Sequence, residues 1–464
     1  MYRLRVLLIP ILILTSCGQP KYLEGQDGLG DTYFPQLGNA GYDAQHYSLV
    51  LEVDPLENYI IGKATIDIEV TQPLKSFNLD FIGLMIDKVS VGGVPANFLR
   101  ADRELTIKPS QPLREGGAYT VQIDYHGSPQ PTLSLGGWFD VGWFHTPENE
   151  IYVTSETSGA ASWYPVNDHP LDKATYSFEI SVPNPYVVAA NGILEEVIYS
   201  GDVITYLWSA EEPMASYLVT LNIAEYVVET TAGTDGVIIR NYFPDGFPDS
   251  LRHGIDQTSQ MMAFFIDKFG TYPFAAYGTV IVDMPDETFI AMETQTLSQH
   301  AESTFALSES IIAHELAHQW FGNSVSLKNW QDMWLKEGAA RYAEWLWEEA
   351  QHGEEALNKR VRGVYQLQAW SSHVISSPPQ DNLYIDAIYN RGALTFHALR
   401  LRVGDKIFFE ILQTYLDKYR YGNAGASDFI QIAQDVSGQD LEEFFENWLS
   451  SKAIPPIPEM GLDI

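Results

Sequence analysis

The stretch Ser310-Ile311-Ile312-Ala313-His314-Glu315-Leu316-Ala317-His318-Gln319-Trp320-Phe321-Gly322-Asn323 decides how this chain is read. Held as a helix, it sets His314 and His318 four residues apart, roughly 6 Å along one face, where two imidazoles can converge on one ion. Glu315 then sits beside that ion. The apolar Ile311, Ile312, Leu316, Trp320 and Phe321 would bury the helix around this polar patch, which is how a water-excluding metal pocket is built. A surface helix with incidental histidines is the plainer alternative, and the residues downstream argue against it. Eighteen residues separate His318 from Glu337, within Asp332-Met333-Trp334-Leu335-Lys336-Glu337-Gly338-Ala339-Ala340. Zinc in hydrolytic sites takes three protein ligands, commonly two His and one Glu, and keeps a fourth position for water.

That spacing, with Trp330, Asp332, Trp334, Leu335, Gly338 and Tyr342 around Glu337, resembles the gluzincin aminopeptidases of the aminopeptidase N and leukotriene hydrolase family. The resemblance implies one Zn²⁺ per chain held by His314, His318 and Glu337. It implies a zinc-dependent aminopeptidase, in which a zinc-activated water attacks the scissile bond with Glu315 as general base. Tyr389, in Tyr384-Ile385-Asp386-Ala387-Ile388-Tyr389-Asn390-Arg391-Gly392, matches the family's oxyanion-binding tyrosine, with Arg391 where Lys is usual. Tyr384 reads as packing. Ile290-Ala291-Met292-Glu293-Thr294 stands in place of the family's G-x-M-E-N, so Ala291, Met292 and Glu293 are expected to bind substrate while Ile290 and Thr294 depart from the pattern. Glu156, in a loop running from Glu150 to Pro170, matches the glutamate that reaches the substrate's amine, and Thr154 replaces the usual Gln. The expected partners are therefore peptides with a free amino terminus. Two other readings are an epoxide-opening zinc hydrolase and a surface binding protein that kept the fold without turnover.

The fold class expected is α+β. Period-two runs such as Ala64, Ile66, Ile68, Val70 and Tyr176, Phe178, Ile180, Val182 indicate an antiparallel β domain over residues 42–229. Helical spacing dominates residues 230–464. By resemblance the first domain is saddle-like and the second a thermolysin-like, mainly helical zinc-peptidase domain. Longer family members continue with further domains, so a short form with a less covered cleft is expected. The remaining nine of eleven histidines lack ligand spacing.

Twenty-seven basic against sixty-one acidic residues give a formal charge of −34, which argues against a nucleic-acid partner. Residues 1–17 open with Arg3 and Arg5, run apolar from Val6 to Leu14, and close on Cys17, the one cysteine of the chain. The apolar run is about half the length that spans a bilayer, so the segment resembles a bacterial lipoprotein signal peptide. Lipidation at Cys17 would anchor the protein to a membrane in the bacterial cell envelope, outside the cytoplasm. Residues 18–41, rich in Gly, Asp and Pro, read as a tether. Growth with a radioactive fatty acid is expected to label the protein, and the Cys17→Ala variant is expected to carry no label.

Overall fold

The computed structural model describes residues 22–284 and 290–463. The signal segment with Cys17, the start of the tether and Phe289 therefore lie outside the described residues. No described helix is long and apolar enough to cross a membrane.

The first half is built of β-sheet. Eight strands form its largest sheet, with Tyr42–Asp54 and Tyr59–Val70 at the centre. Alternation decides the face: Leu49, Leu51, Ala64, Ile66 and Ile68 point into the core, and the polar residues between them face outward. The sheet is not wholly antiparallel, because Ala174–Pro183 pairs parallel with Tyr42–Asp54. Between Ala118–Gly127 and Ala174–Pro183 the chain leaves to build much of a second, five-stranded sheet. That excursion is long enough to bring the chain back in the same direction. The loop after Ile151–Thr154 carries Glu156.

The tether reading is corrected from Tyr22 onward. Gln26–Asp27 pairs with Asn39–Ala40, and Asp31 is buried between the two halves of the molecule. Its Oδ2 accepts the Trp330 backbone N–H at 2.9 Å and lies 3.3 Å from His169 Nε2. Gly and Pro here mark irregular backbone, and the backbone is packed all the same.

The expected boundary at residue 229 also moves. Tyr226–Ala232 is the first strand of the second half's own five-stranded sheet, hairpinned to Ile238–Pro244. Parallel strands Ala276–Val282 and Ser298–Ala301 follow, and the two-residue strand Ala291–Met292 forms the edge. The helices fall close to where periodicity places them, including Thr258–Phe269, Glu354–Gln368, Asp405–Lys418 and the pair Ala426–Ser437 and Glu442–Ser450 broken at Gly438.

Three helices position the site. The His helix, Glu309–His318, is capped by Ser308, whose side chain accepts from the Ile311 N–H. It ends earlier than the sequence suggests, in a turn where Gly322 takes φ +117°, a conformation open to glycine. The Glu helix, Trp334–His352, packs on it, and the Tyr helix, Asp386–Val403, packs on the Glu helix. The last two touch at Gly338 and Gly392, where a Cβ on Gly338 would stand 2.8 Å from the Gly392 backbone. These glycines lie one residue from Glu337 and three from Tyr389, so backbone contact sets the distance between those side chains. Gly338→Ala is expected to force the helices apart and cost about 1–3 kcal/mol, read as a lowered thermal midpoint; an unchanged midpoint would show that the contact is not tight.

Candidate metal centre

His314 and His318 point their Nε2 atoms at each other, 3.0 Å apart, and Glu337 Oε2 lies 3.2 Å from the first and 3.4 Å from the second. Which proton each ring carries follows from the far side. His314 Nδ1 donates to Glu344 Oε1 at 2.7 Å, and His318 Nδ1 donates to the Phe321 carbonyl at 3.0 Å. That leaves two Nε2 lone pairs and a carboxylate oxygen facing one another, an arrangement only a cation between them makes favourable. Ligand bonds of about 2.0–2.1 Å to a tetrahedral ion set donors about 3.3–3.4 Å apart, close to what is seen. Burial opposes charge on His314, yet hydrogen bonds from Glu337 and Glu344 raise its pKa to about 10, so the field at this point favours positive charge. The residues fit zinc.

Two other trios of donor atoms overlap this one, Glu293–Glu315–His318 and Glu156–Glu293–Glu337. The second already holds a cation. Lys336, buried, places Nζ 2.5 Å from Glu156 Oε1, 2.5 Å from Glu293 Oε1 and 3.0 Å from Glu337 Oε1. Burial raises the Glu156 pKa to about 8 against the pull of Lys336, whereas Lys336 and His318 overcome burial and lower that of Glu293. Glu293 is fixed through its backbone: its carbonyl accepts from Asn323 Nδ2 at 2.7 Å and Gln319 Nε2 at 3.3 Å. Both donors stand in the turn that ends the His helix.

These groups line one cavity of about 460 Å³, with Tyr389, Glu315 and Arg341 also on its wall. Glu315 is buried, and that burial pushes its carboxyl well above the usual range. Tyr389 sits with its ring 6.2 Å from that of His314 and its phenol held neutral by burial. The edge residues Ala291 and Met292 line the cavity too, leaving one side of a short strand open to it.

Residues 43–218 match the peptidase M1 N-terminal domain and residues 253–448 the peptidase family M1 domain, together about four-fifths of the chain. The chain belongs to peptidase family M1. Among solved M1 structures, a zinc metallopeptidase from Deinococcus radiodurans superposes with a TM-score of 0.86 at 28% identity, covering 93% of this chain and 100% of that one. A variant of it bound to a Tyr-Ser-Ala substrate is similar at 29% identity, with a TM-score of 0.86 over 94% of this chain and all of that one. Curated relatives include the probable aminopeptidase 2 of Sulfurisphaera tokodaii, 25% identical over 82% of this chain and 50% of its own length. The leucyl aminopeptidase of Saccharolobus solfataricus is 25% identical over 84% and 51%. The chain spans about half the length of the curated relatives it matches.

In this M1 chain the cavity gathers His314, His318, Glu337, Glu315, Tyr389, Glu293, Glu156, Ala291 and Met292, all named from sequence. Tyr384, read as packing, lines the same cavity against Phe139 at 5.1 Å. Arg391 points elsewhere: it is buried and donates to the Trp448 and Asn447 carbonyls at the end of Glu442–Ser450. Thr294 turns inward to the Leu297 carbonyl, and Thr154 is buried in the sheet domain.

Sequence reasoning missed Lys336, Arg341 and Glu344. Glu344 lies two helical turns beyond Glu337 on the same face, a spacing that could have found it. It receives His314 Nδ1, Ser310 Oγ and Arg341 Nη1 together. Glu344→Gln is expected to weaken zinc binding by about 10–100-fold, measured by competition against a chromogenic chelator. Unaltered affinity would leave Glu344 a packing residue.

Proposed function

We propose that this chain is a zinc aminopeptidase that removes residues from the amino terminus of peptides. The observation that carries the reading is the Lys336 ammonium lodged between Glu156 and Glu293, beside three converging metal donors. Carboxylates that hold one ammonium are built to meet another. Counting Glu156, Glu293, Glu315 and Glu337 against Lys336 and a divalent ion leaves one negative charge, which a peptide's terminal ammonium would cancel. An acylated terminus would leave those carboxylates unmatched in a buried place. Neither an epoxide substrate nor silent binding gives the ammonium site a purpose.

Zinc, when bound, supplies a Lewis acid and a water ligand of lowered pKa. The chain's own residues supply the rest. Glu156 and Glu293 fix the amine, and the open edge at Ala291–Met292 can pair with the extended backbone that follows it. Glu315, with an oxygen within 4.8 Å of His318's donor nitrogen, accepts the attacking water's proton and returns it to the leaving amine. Tyr389 donates its neutral O–H to the carbonyl oxygen as negative charge gathers there. The lipid anchor on Cys17 and an extracytoplasmic place in the bacterial envelope belong to the same proposal, on the pattern of residues 1–17.

Glu315→Gln is expected to keep stoichiometric zinc and lose turnover of aminoacyl coumarin amides by several orders of magnitude; near-normal rates in that variant would overturn the general-base role. Tyr389→Phe is expected to lower kcat by about 10²–10³-fold with little change in KM. N-acetylation of a good substrate is expected to abolish cleavage.

A further inference from the structure

Arg341 has no part in the chemistry just described, yet it is the only lysine or arginine among the described residues lining the cavity. Its place along the Glu helix is informative. Lys336, reaching Glu156 and Glu293, comes first; Glu337, the metal donor, is next; Arg341 follows one turn later, about 6 Å along the axis. The His helix runs the same sequence of roles. His318 stands nearer the amine end, with its donor nitrogen within 4.8 Å of Glu293. His314 stands at the far end, bonded to Glu344, the acceptor that Arg341 also uses. Amine carboxylates, metal donors and Arg341 thus follow one another across the cleft. A peptide whose ammonium lies between Glu156 and Glu293, and whose first carbonyl lies at the metal donors, directs its second residue toward Arg341.

The guanidinium is underused. Of its five donors, Nη1 bonds Glu344 Oε2 at 2.8 Å, and Nε, although buried, has no partner. Its plane rests over the Tyr389 ring, 5.6 Å from the centroid, and 28% of the side chain remains accessible. Every other charged side chain on the cavity wall, histidines aside, is a glutamate, so an anion entering elsewhere meets repulsion. Resting on the aminopeptidase reading, we propose that Arg341 is a specificity residue that binds a carboxylate on the leaving-group side of the scissile bond. Two sources present that group there: the terminal carboxylate of a short peptide, or an acidic side chain just after the bond. A planar fork suits either one.

The test compares Leu-Ala and Leu-Ala-Ala with their C-terminal amides, and Leu-Asp-Ala-amide with Leu-Asn-Ala-amide, in wild type, Arg341→Gln and Arg341→Lys. Within each protein the ratio of kcat/KM, carboxylate over its neutral partner, is the readout, which cancels any effect on the metal through Glu344. At least one pair is expected to favour the carboxylate by about tenfold or more in wild type. That ratio is expected to fall to near one in Arg341→Gln and to recover in part in Arg341→Lys. Which pair discriminates tells a chain terminus from a side chain. A ratio near one in every wild-type pair, or a preference that survives Arg341→Gln, overturns the proposal. Leucyl-aminomethylcoumarin, which has no carboxylate, tests the aminopeptidase reading separately. Should it go uncut, the same ratios measured as calorimetric affinities in zinc-loaded Glu315→Gln still judge Arg341.

Discussion

Five carboxylates, Glu156, Glu293, Glu315, Glu337 and Glu344, are buried around one point, and the structure depends on how that charge is balanced. An unpaired buried carboxylate costs far more than any one contact returns, so each must be neutralised, paired or bonded to a metal. The chain supplies two permanent cations, Lys336 and Arg341, at opposite ends of the cluster. A divalent ion and a substrate ammonium complete the balance. Binding of metal and binding of an amine are thereby two parts of one electrostatic requirement, and His314 and His318 can stay neutral ligands because the carboxylates carry the charge.

The same requirement explains why the site needs both halves of the molecule. Glu156 comes from the β domain, so its distance from Glu293 is set by how the halves dock. Lys336 ties the two carboxylates directly, and polar contacts farther off hold the register. Lys173 donates to the Asn323 and Ser324 carbonyls at 2.8 and 3.1 Å, in and beside the turn that pins Glu293. Arg240 Nη2 donates to the Gly192 carbonyl at 2.7 Å, and Gln299 Nε2 reaches Asn222 Oδ1 at 2.7 Å. Asp31 adds a buried link from the N-terminal segment. Such bonds lose little to solvent and require a specific fit.

The metal donors were legible in the sequence because helix periodicity converts spacing into direction: His314 and His318 share a face by arithmetic alone. Glu337 needed the resemblance, since eighteen intervening residues fix no direction. Lys336 was in plain view beside it, but nothing local says that its ammonium reaches a carboxylate 180 positions earlier in the chain. The packed segment after residue 22 was hidden for a related reason. Gly, Asp and Pro report backbone conformation, whereas Asp31's burial depends on Trp330 and His169, which are remote in sequence. The strand Tyr226–Ala232 looked like a continuation of the first domain because alternation says that a residue is in a sheet and not in which sheet. Arg391 shows the opposite failure, where a charge near a functional tyrosine turned out to serve a distant helix end.

Tyr389 and Glu337 bring the argument back to backbone. Neither side chain is bonded to the other, and the phenol is held beside the metal donors by where its helix lies. The contact of Gly338 with Gly392 puts two helix axes as close as side-chain-free backbone allows. Close-packed backbone is stiff in a way that a pair of long side chains is not. Oxyanion donor and metal ligand therefore behave as one unit, and the parts free to adjust are those that meet the substrate: the loop bearing Glu156, the short edge at Ala291–Met292, and the free donors of Arg341. The fold keeps the chemistry rigid and leaves recognition to side chains at the cavity's two ends, which is where this chain also departs from its family at Thr154, Ile290 and Thr294.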